Sequence, residues 1–590
     1  MEEKFKWDLA EIFKDRNEFE KMKEKFLEDL EEIAKYEGEV TKSSENLLNV
    51  YKIYERALTK FDRLYAYGML KYHLDMGNQE GIKIFKEVEA LGNIFSTKTS
   101  FITPEITYEK DGVIEKYLEE NKELQRYERD IKDTLKEKKH TLSKEEEKLL
   151  ANFSEIFSAP ENTFDILTNA EFVFGTLIDE NGQEQEMTDS NYTIFLKNQN
   201  ESVRKQAFEL MYKKYSEFVN TITELYLTNV KETSITAKIR KYKSSLERAV
   251  ENDDASLKVY DSLIEAIHEN INVNHKFINI KKELMKKEDF HMYDLYVNPF
   301  EEDKDEITFE DAKREVLNAL SVMGEEYVNK LKEAFDNRWI DVYPGENKRG
   351  GAYSMSVYSV HPYILTNFMN SKRDISTVAH ELGHSIHSFY SNTNQTIIDS
   401  DYTIMTAEVA STVNEILLSK YQINNEKDKN KKAELIYELL EMIRATLFRQ
   451  AMFAEFEKVV HEKIENGEML SSEDLNNIYY DLNKVYFGDN MIVDKEIKYE
   501  WARIPHFYTD FYVYKYSTGI SSAISIASNI LKQGEPFVKR YINMLKQGCS
   551  KKSIDLLKMV DVDLESKKVY EDAIEFYNEN IELLKRIIEK

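Results

Sequence analysis

Proline is scarce and unevenly placed in this chain of 590 residues, and its distribution limits the possible folds more than any other feature. Seven prolines occur, and the ranges 161–298 and 363–504 contain none. A proline inside a helix costs about 3 kcal/mol, so ranges without proline permit long helices. We therefore expect a mostly α-helical protein.

Two segments within these ranges have helical periodicity. In 202–230, apolar residues such as Val203, Ala207 and Met211 recur every three or four positions, and Lys and Glu fill the other faces. Segment 433–462 repeats this pattern through Leu435, Leu439, Leu440, Ile443 and Leu447. Such spacing is typical of amphipathic helices that bury one face.

A β-hairpin is predicted near residues 172–187. Segment 172–178 has the composition of a strand and is followed by Asp-Glu-Asn-Gly at 179–182. The dipeptide Asn-Gly suits the positive φ angles of a hairpin turn. Thr188 or Ser190 is then placed to cap the next helix.

A further strand is predicted at residues 352–358. Tyr353 and Met355 alternate there with serines, directly after the pair Gly350-Gly351. This order is typical of a strand that follows a tight turn. The sequence therefore predicts a small sheet inside a largely helical protein.

Composition excludes several classes of protein. The chain has 81 Lys and Arg against 109 Asp and Glu, a net charge of −28, so nucleic acid and anionic membrane surfaces are unfavourable partners. The single cysteine, Cys549, forms no disulfide within the chain. The N-terminus lacks the apolar region of a secretory signal, and no apolar run reaches the ~18 residues of a membrane span. We expect a cytoplasmic protein.

A metal-binding motif is the strongest chemical signal. Histidine occurs 11 times, and three histidines lie in the segment HELGHSIH at 380–387. On a helix, His380 and His384 project from one face, one turn apart, where both rings can bind one Zn²⁺. Glu381 lies between them and can reach a water molecule on the metal. The uncharged residues around the motif indicate a buried helix, in which these side chains need partners.

The third ligand is not fixed by the motif. A metzincin would have Gly and His where this chain has His387 and Tyr390, so that class is excluded. The following segment offers four carboxylates: Asp399, Asp401, Glu408 and Glu415. The aspartates lie in a segment without helical periodicity, whereas the two glutamates share a helix face. Three protein ligands and one water would make an open, catalytic site.

The flanking residues distinguish these candidates further. Small residues surround Glu408 and allow a close approach of the first helix, and Glu415 is placed to support that site from behind. His387 is interpreted as a supporting or surface residue, not as a ligand.

The chain resembles the oligoendopeptidase F family of the thimet-oligopeptidase superfamily. The similarity rests on HELGHSIHS, with EVAST beginning 24 residues after His384, and it extends over nearly the whole chain. Further matching segments are WDL at 7–9, YDLY at 293–296, KRGGAYS at 348–354, IPHFY at 504–508 and FYVYKY at 511–516.

The resemblance implies more than the residues do alone. It implies an elongated multi-helix gluzincin-type peptidase with a small antiparallel sheet, a deep substrate channel and one zinc ion at its floor. It also implies Glu408 as the third ligand and oligopeptides as substrates. We expect an N-terminal helical domain over 1–200, which includes the hairpin, and a zinc peptidase catalytic domain over 201–590.

Segment 504–519 is a second candidate for chemistry, because it combines His506 with four tyrosines. Imidazole N–H and phenol O–H groups can stabilise the oxyanion of a tetrahedral intermediate. The resemblance favours His506, Tyr508 and Tyr514 for this role. The sequence does not show which of these tyrosines, or of Tyr512 and Tyr516, face the metal.

The predicted function is zinc-dependent hydrolysis of internal peptide bonds in short oligopeptides, with Glu381 as general base. Strand 352–358 is placed to pair with an extended substrate, with Tyr353 and His361 nearby. Two alternatives remain. One is a zinc exopeptidase, in which Arg349 or Arg503 would hold a terminal carboxylate. The other is a non-catalytic helical interaction protein. Oligomeric state stays open.

Overall fold

The fold is described here from a computed structural model, which covers residues 2–300 and 306–589. It is predominantly helical, as predicted from the proline distribution. The α-helices are α1 Arg16–Ile33, α2 Ser44–Leu74, α3 Gln79–Thr99, α4 Ile102–Tyr108, α5 Val113–Glu120, α6 Glu128–Glu137, α7 Lys144–Asn152, α8 Ser154–Phe157, α9 Ala159–Ile166, α10 Asp189–Leu196, α11 Glu201–Ile239, α12 Ser245–Asn252, α13 Leu257–Glu269, α14 Ile271–Leu284, α15 Phe309–Ala319, α16 Gly324–Asp336, α17 Lys372–Asn394, α18 Ile397–Ser400, α19 Ile404–Asn425, α20 Lys429–Ile443, α21 Arg449–Glu465, α22 Ser472–Phe487, α23 Tyr514–Gln533, α24 Glu535–Leu545, α25 Ser553–Lys558 and α26 Lys567–Ile588.

Both predicted amphipathic helices are confirmed. Segment 202–230 lies within α11, a helix of 39 residues that buries the expected apolar face. Segment 433–462 forms α20 and α21, joined without a break by a π-helical turn at Arg444–Phe448. The turn shifts the helical register, so the two halves bury faces that a single regular helix would not align.

The predicted hairpin is confirmed, and its first strand is shorter than expected. Strand β1, Thr176–Ile178, pairs antiparallel with β2, Glu184–Glu186. The strand cannot begin at 172, because Gly175 has a φ of +96° and bends the chain. Thr188 caps α10 by accepting a hydrogen bond from the backbone N–H of Asn191.

A second sheet has three strands: β3 Ile340–Asp341, β4 Tyr353–Met355 and β5 Tyr363–Leu365. Their order is β3-β5-β4, with β3 and β5 parallel and β4 and β5 antiparallel. The parallel pair was not predicted from the sequence. The indole N–H of Trp7 donates to the carbonyl oxygens of Trp339 (3.0 Å) and Ile364 (2.8 Å). The tryptophan of the WDL segment thus connects the N-terminus to this sheet.

The described residues form two compact units, each built from three stretches of chain. One unit comprises 1–141, 304–421 and 526–562, and the other comprises 142–303, 422–525 and 563–590. The predicted division into domains at residue 200 stays a prediction.

Each unit has an apolar core. In the unit that contains α17, α1–α3 and the three-stranded sheet bury a shared cluster of side chains that includes Phe19, Phe26 and Tyr363. In the other unit, aromatic rings meet between α11 and α21, where the ring of Tyr226 lies 6.2 Å from that of Phe456. Burial of large aromatic side chains contributes strongly to the stability of such cores.

None of the helices in the two described ranges combines the length and the apolar character that crossing a bilayer requires.

Candidate metal centre

The site begins with the close approach of two helices, α17 and α19. A Cβ atom on Gly383 of α17 would lie only 2.5 Å from the Cα atom of Ser411 in α19, so a glycine is needed at this position. The amide of Asn414 donates to the carbonyl oxygen of Ala379 at 3.0 Å and fixes the register of the two helices. The small residues around Glu408 therefore allow α19 to pack closely against α17, as the sequence predicts.

This packing brings three potential metal ligands together. The Nε2 atoms of His380 and His384 are 3.1 Å apart, and Nε2 of His380 lies 3.8 Å from Oε2 of Glu408. One ligand atom from each residue falls within 4.8 Å of the other two. We call these three residues the HExxH cluster.

Zinc fits the HExxH cluster by geometry and by chemistry. Two nitrogen ligands at about 2.0–2.1 Å from a tetrahedral zinc ion lie roughly 3.3 Å apart. The observed separation of the two Nε2 atoms, 3.1 Å, is close to that value. Two imidazoles and one carboxylate are also the donor set of an open, catalytic zinc site.

Glu415 supports His380 from the side away from the cluster. Its Oε2 atom lies 3.2 Å from Nδ1 of His380, and its Oε1 atom accepts a hydrogen bond from Ser376 at 3.1 Å. A carboxylate on Nδ1 fixes the tautomer and leaves the Nε2 lone pair for a metal.

The electrostatics favour positive charge at the cluster. Burial alone would lower the pKa of His380, but the hydrogen bond and charge of Glu415, with the charges of Glu381 and Glu408, raise it to about 9. Burial and the neighbouring His380 lower the pKa of His384 to about 3, so that ring is neutral. The carboxylates that raise the pKa of His380 would also stabilise the charge of a metal cation at this position.

Glu381 has the environment of a general base. Its side chain is 6% exposed, and burial together with nearby carboxylates raises its pKa to about 7, against the opposing charge of His380. A carboxylate whose pKa lies near neutrality can both accept and return a proton.

Three other residues of the predicted region take different positions. His387 is buried and stacks on the ring of Tyr402, with ring centroids 3.7 Å apart. Asp399 lies in the single helical turn α18, and Asp401 follows that turn, so the segment without helical periodicity is nevertheless partly helical. Among the described residues, these two aspartates do not join the ligand group.

The segment of predicted oxyanion donors splits into buried and accessible side chains. The phenol of Tyr514 is buried and donates to Oδ2 of Asp253 at 2.8 Å. Tyr508 is also buried and stacks on Phe164 at 4.7 Å, and its hydroxyl has no hydrogen-bond partner within the described chain.

His506 belongs to the accessible part of the same segment. It is exposed in the 3₁₀-helix Pro505–Tyr508, and its ring lies 5.8 Å from that of Tyr512 and 6.1 Å from that of Tyr516. Sequence reasoning left Tyr512 and Tyr516 undecided. Tyr512 and Tyr516 are half-buried and lie four residues apart, and this interval was the signal that could have grouped them.

Strand β4 borders a large cavity next to α17. Within its unit, Ser354 of β4 and Ser385 of α17 share a hydrogen bond of 2.7 Å. The cavity has a volume of about 870 Å³ and is lined by β4 residues, by Arg349 and by Ser388, one turn beyond His384. Because β4 is at the edge of its sheet, one side of its backbone faces away from β5.

Comparison with known sequences assigns the chain to a family. The profile of Peptidase family M3 matches residues 194–576, which include the HExxH cluster. The chain belongs to Peptidase family M3. A second profile, Oligopeptidase F, matches residues 105–174. The M3 chain described here is therefore a metallopeptidase, and the alternative of a non-catalytic interaction protein is set aside.

Individual relatives agree with the M3 assignment. The chain is 39% identical to oligopeptidase PepF from Bacillus subtilis, over 92% of this chain and 82% of that protein. It is 34% identical to an oligoendopeptidase F homolog from Lactococcus lactis, over 100% of this chain and 98% of the relative. The crystal structure of oligoendopeptidase-F from Enterococcus faecium is similar with a TM-score of 0.75 and 31% identity, covering 97% of this chain and 99% of the other.

Proposed function

We propose that this M3 peptidase is a zinc-dependent endopeptidase that hydrolyses internal bonds of short oligopeptides. The observation that carries the proposal is the convergence of His380, His384 and Glu408, with the buried carboxylate of Glu381 in the same turn of α17. Names of the relatives, oligopeptidase and oligoendopeptidase, support the substrate class.

The HExxH cluster would hold one zinc ion. When bound, zinc supplies Lewis acidity, which polarises the scissile carbonyl and acidifies water. Glu381 takes a proton from the attacking water and later passes it to the leaving amine. Its pKa of about 7, raised mainly by burial, lets the same carboxyl group perform both transfers near neutral pH.

Glu415 acts through His380 in this scheme. By accepting a hydrogen bond from Nδ1, it orients the ring and keeps the Nε2 lone pair available. Because the close group of ligand atoms contains Glu408 and not Glu415, we assign Glu408 as the ligand and Glu415 as a positioning residue.

The edge strand β4 would bind the substrate backbone. An extended peptide that pairs with Tyr353–Met355 would gain main-chain hydrogen bonds, which do not depend on the peptide's side chains. The adjacent cavity of about 870 Å³ would receive side chains. The oxyanion roles of His506, Tyr508 and Tyr514 stay predictions, as does a cytoplasmic location.

Mass spectrometry of the products from a mixed library of short peptides tests this function. We expect internal cleavage that a chelator abolishes and added zinc restores. Casein, a long chain of open structure, serves as the contrasting substrate and should be cut far more slowly. Undiminished cleavage after complete removal of metal would refute the zinc mechanism.

The same products separate the endopeptidase from its alternative. Arg349 lines the cavity beside β4 and is a cation that a terminal carboxylate could bind. Release of single C-terminal residues, lost on Arg349→Gln, would favour a carboxypeptidase. Internal fragments that are unaffected by amidation of the peptide C-terminus would favour the endopeptidase.

A further inference from the structure

A second group of potential metal ligands lies in the unit that contains α21. Glu457 and His461 are four residues apart on α21, and Asp510 follows the 3₁₀-helix Pro505–Tyr508. One ligand atom from each of the three lies within 4.8 Å of the other two. We call Glu457, His461 and Asp510 the buried cluster; none of them belongs to the proposed catalytic machinery.

Two side-chain atoms of the buried cluster have unused hydrogen-bonding capacity. Glu457 is 0% exposed and His461 is 1% exposed. The carboxylate of Glu457 accepts a hydrogen bond from the backbone N–H of Phe511 through Oε1, but Oε2 has no partner within the described chain. Nε2 of His461 likewise has none, although it lies 3.8 Å from Oδ1 of Asp510. A buried polar atom without a partner costs about 1–3 kcal/mol, so two neighbours of this kind call for an explanation.

The hydrogen bonds of Ser245 fix the tautomer of His461. The Ser245 hydroxyl lies 2.6 Å from Oε1 of Glu465 and 3.0 Å from Nδ1 of His461. A carboxylate accepts hydrogen bonds, so the single hydroxyl proton goes to Glu465, and the hydroxyl oxygen accepts from N–H at Nδ1. Nε2 of His461 therefore carries a lone pair. Burial lowers the pKa of His461 to about 3, which keeps the ring neutral.

The carboxylate of Asp510 adds further acceptor atoms to those of Glu457 and His461. Its Oδ1 atom accepts from the amide of Asn229 at 3.0 Å, and its Oδ2 atom accepts from the hydroxyl of Thr233. The nearby cation Lys515 pairs with Asp253 at 2.7 Å and donates no hydrogen bond to Oε2 of Glu457. Burial raises the pKa of Glu457 well above its usual range and that of Asp510 to about 7, so without a metal ion Glu457 keeps a proton among these acceptors, and a bound cation would replace that proton.

We propose that the buried cluster binds a divalent transition-metal ion through Glu457, His461 and Asp510. Imidazole and carboxylate ligands suit Zn²⁺ and its first-row neighbours, and the Ser245–Glu465 pair is the outer support that metal-binding histidines usually have. The ligand atoms need to move together by about 1 Å to reach bonding distances. A cavity of about 150 Å³ lies beside His461 and is also lined by Ser245 and Phe511.

The position of the buried cluster indicates a structural role. Phe511 has a φ of +54°, which is strained for an aromatic residue, and its N–H donates to Glu457. A metal ion on Asp510 and α21 would hold this strained turn and, with it, the segment that carries His506. Metal binding should therefore raise thermal stability even where catalysis is absent.

The test uses the full-length chain with the HExxH cluster disabled. In His380→Ala/His384→Ala protein, dialysed against chelator and then against Zn²⁺, elemental analysis should find about one bound zinc per chain, as for a specific site. Zinc should also raise the melting temperature of this protein. Zinc content near zero in this folded variant would overturn the proposal.

Glu457→Gln is the decisive additional substitution. Glutamine keeps an acceptor for the N–H of Phe511 and places an N–H₂ donor among the lone pairs, so the variant should fold without metal. In the disabled background it should lose the remaining zinc and the zinc-dependent rise in melting temperature. His268→Gln, at an exposed histidine paired with Glu455, is the matched control and should change neither. Equal zinc content in the Glu457→Gln and control proteins would show that the zinc binds elsewhere and refute the assignment.

Discussion

The HExxH cluster and the buried cluster use the same kinds of side chain in different surroundings. Both place two ligands four residues apart on one helix and take a carboxylate from another segment. In the HExxH cluster the side chains of His380 and Glu408 are 26% and 36% exposed, whereas Glu457 and His461 are almost completely buried. Two imidazoles and one carboxylate are thus combined with open access in one case, and one imidazole and two carboxylates with largely buried side chains in the other.

The two clusters also differ in the carboxylates that lie next to their ligands. Beside the HExxH cluster lies Glu381, an additional carboxylate whose pKa is raised to about 7 mainly by burial. The carboxylates near the buried cluster are held by hydroxyl groups: Glu465 accepts from Ser245 behind His461, and Glu232 accepts from Thr236. A hydrolytic site needs access for the substrate and a carboxylate that is free to act as a base, whereas a structural metal site is closed to solvent. Environment, and not ligand type, therefore distinguishes the proposed catalytic centre from the proposed stabilising one.

Among substitutions that test the difference between the two clusters, Glu408→Ala is expected to have the largest effect. Loss of one of three ligands should weaken zinc binding at the HExxH cluster by more than about 100-fold, beyond the effect typical of an outer partner. Elemental analysis should find one metal ion fewer per chain than in the wild type, with peptidase activity lost. Asp401→Ala removes a nearby carboxylate outside the cluster and should retain the metal. The reverse outcome would mean that the wrong carboxylate is assigned.

A smaller effect is expected from Glu415→Gln. The amide still fills the space beside Nδ1 of His380 but lacks the charge that polarises the ring. Zinc affinity should fall about 10–100-fold, as for other outer partners of metal-binding histidines. Competition with a chelator measures the change, and Ser376→Ala, which removes only the hydrogen bond to Glu415, is the milder control. An unchanged affinity would leave Glu415 without a positioning role.

Local patterns of sequence predicted the features that depend on neighbours along the chain. The helical interval between His380 and His384 predicted their convergence, and the period of 202–230 predicted α11. The small residues around Glu408 and the family resemblance favoured Glu408 over Glu415, and the structure adds the packing of α17 on α19 at the contact of Gly383 with Ser411. Spacing alone cannot give this contact, because both glutamates lie on one helix face.

The buried cluster was missed for a related reason. Glu457 and His461 have the same four-residue interval as the HExxH histidines, but such a pair is common on helix surfaces and carries no weight alone. Its significance comes from the burial of both side chains and from Asp510, which lies far along the chain. Only the tertiary structure combines these observations.

The most direct test of the central claim is to measure metal content and turnover together in Glu381→Gln. In the proposed mechanism Glu381 is the base and not a ligand, so the variant should bind as much zinc as the wild type. Its turnover of a short peptide should fall about 10²–10⁴-fold, the range typical for loss of a general base. Turnover near that of the wild type, or loss of the metal on this substitution, would contradict the assignment of Glu381 and with it the mechanism.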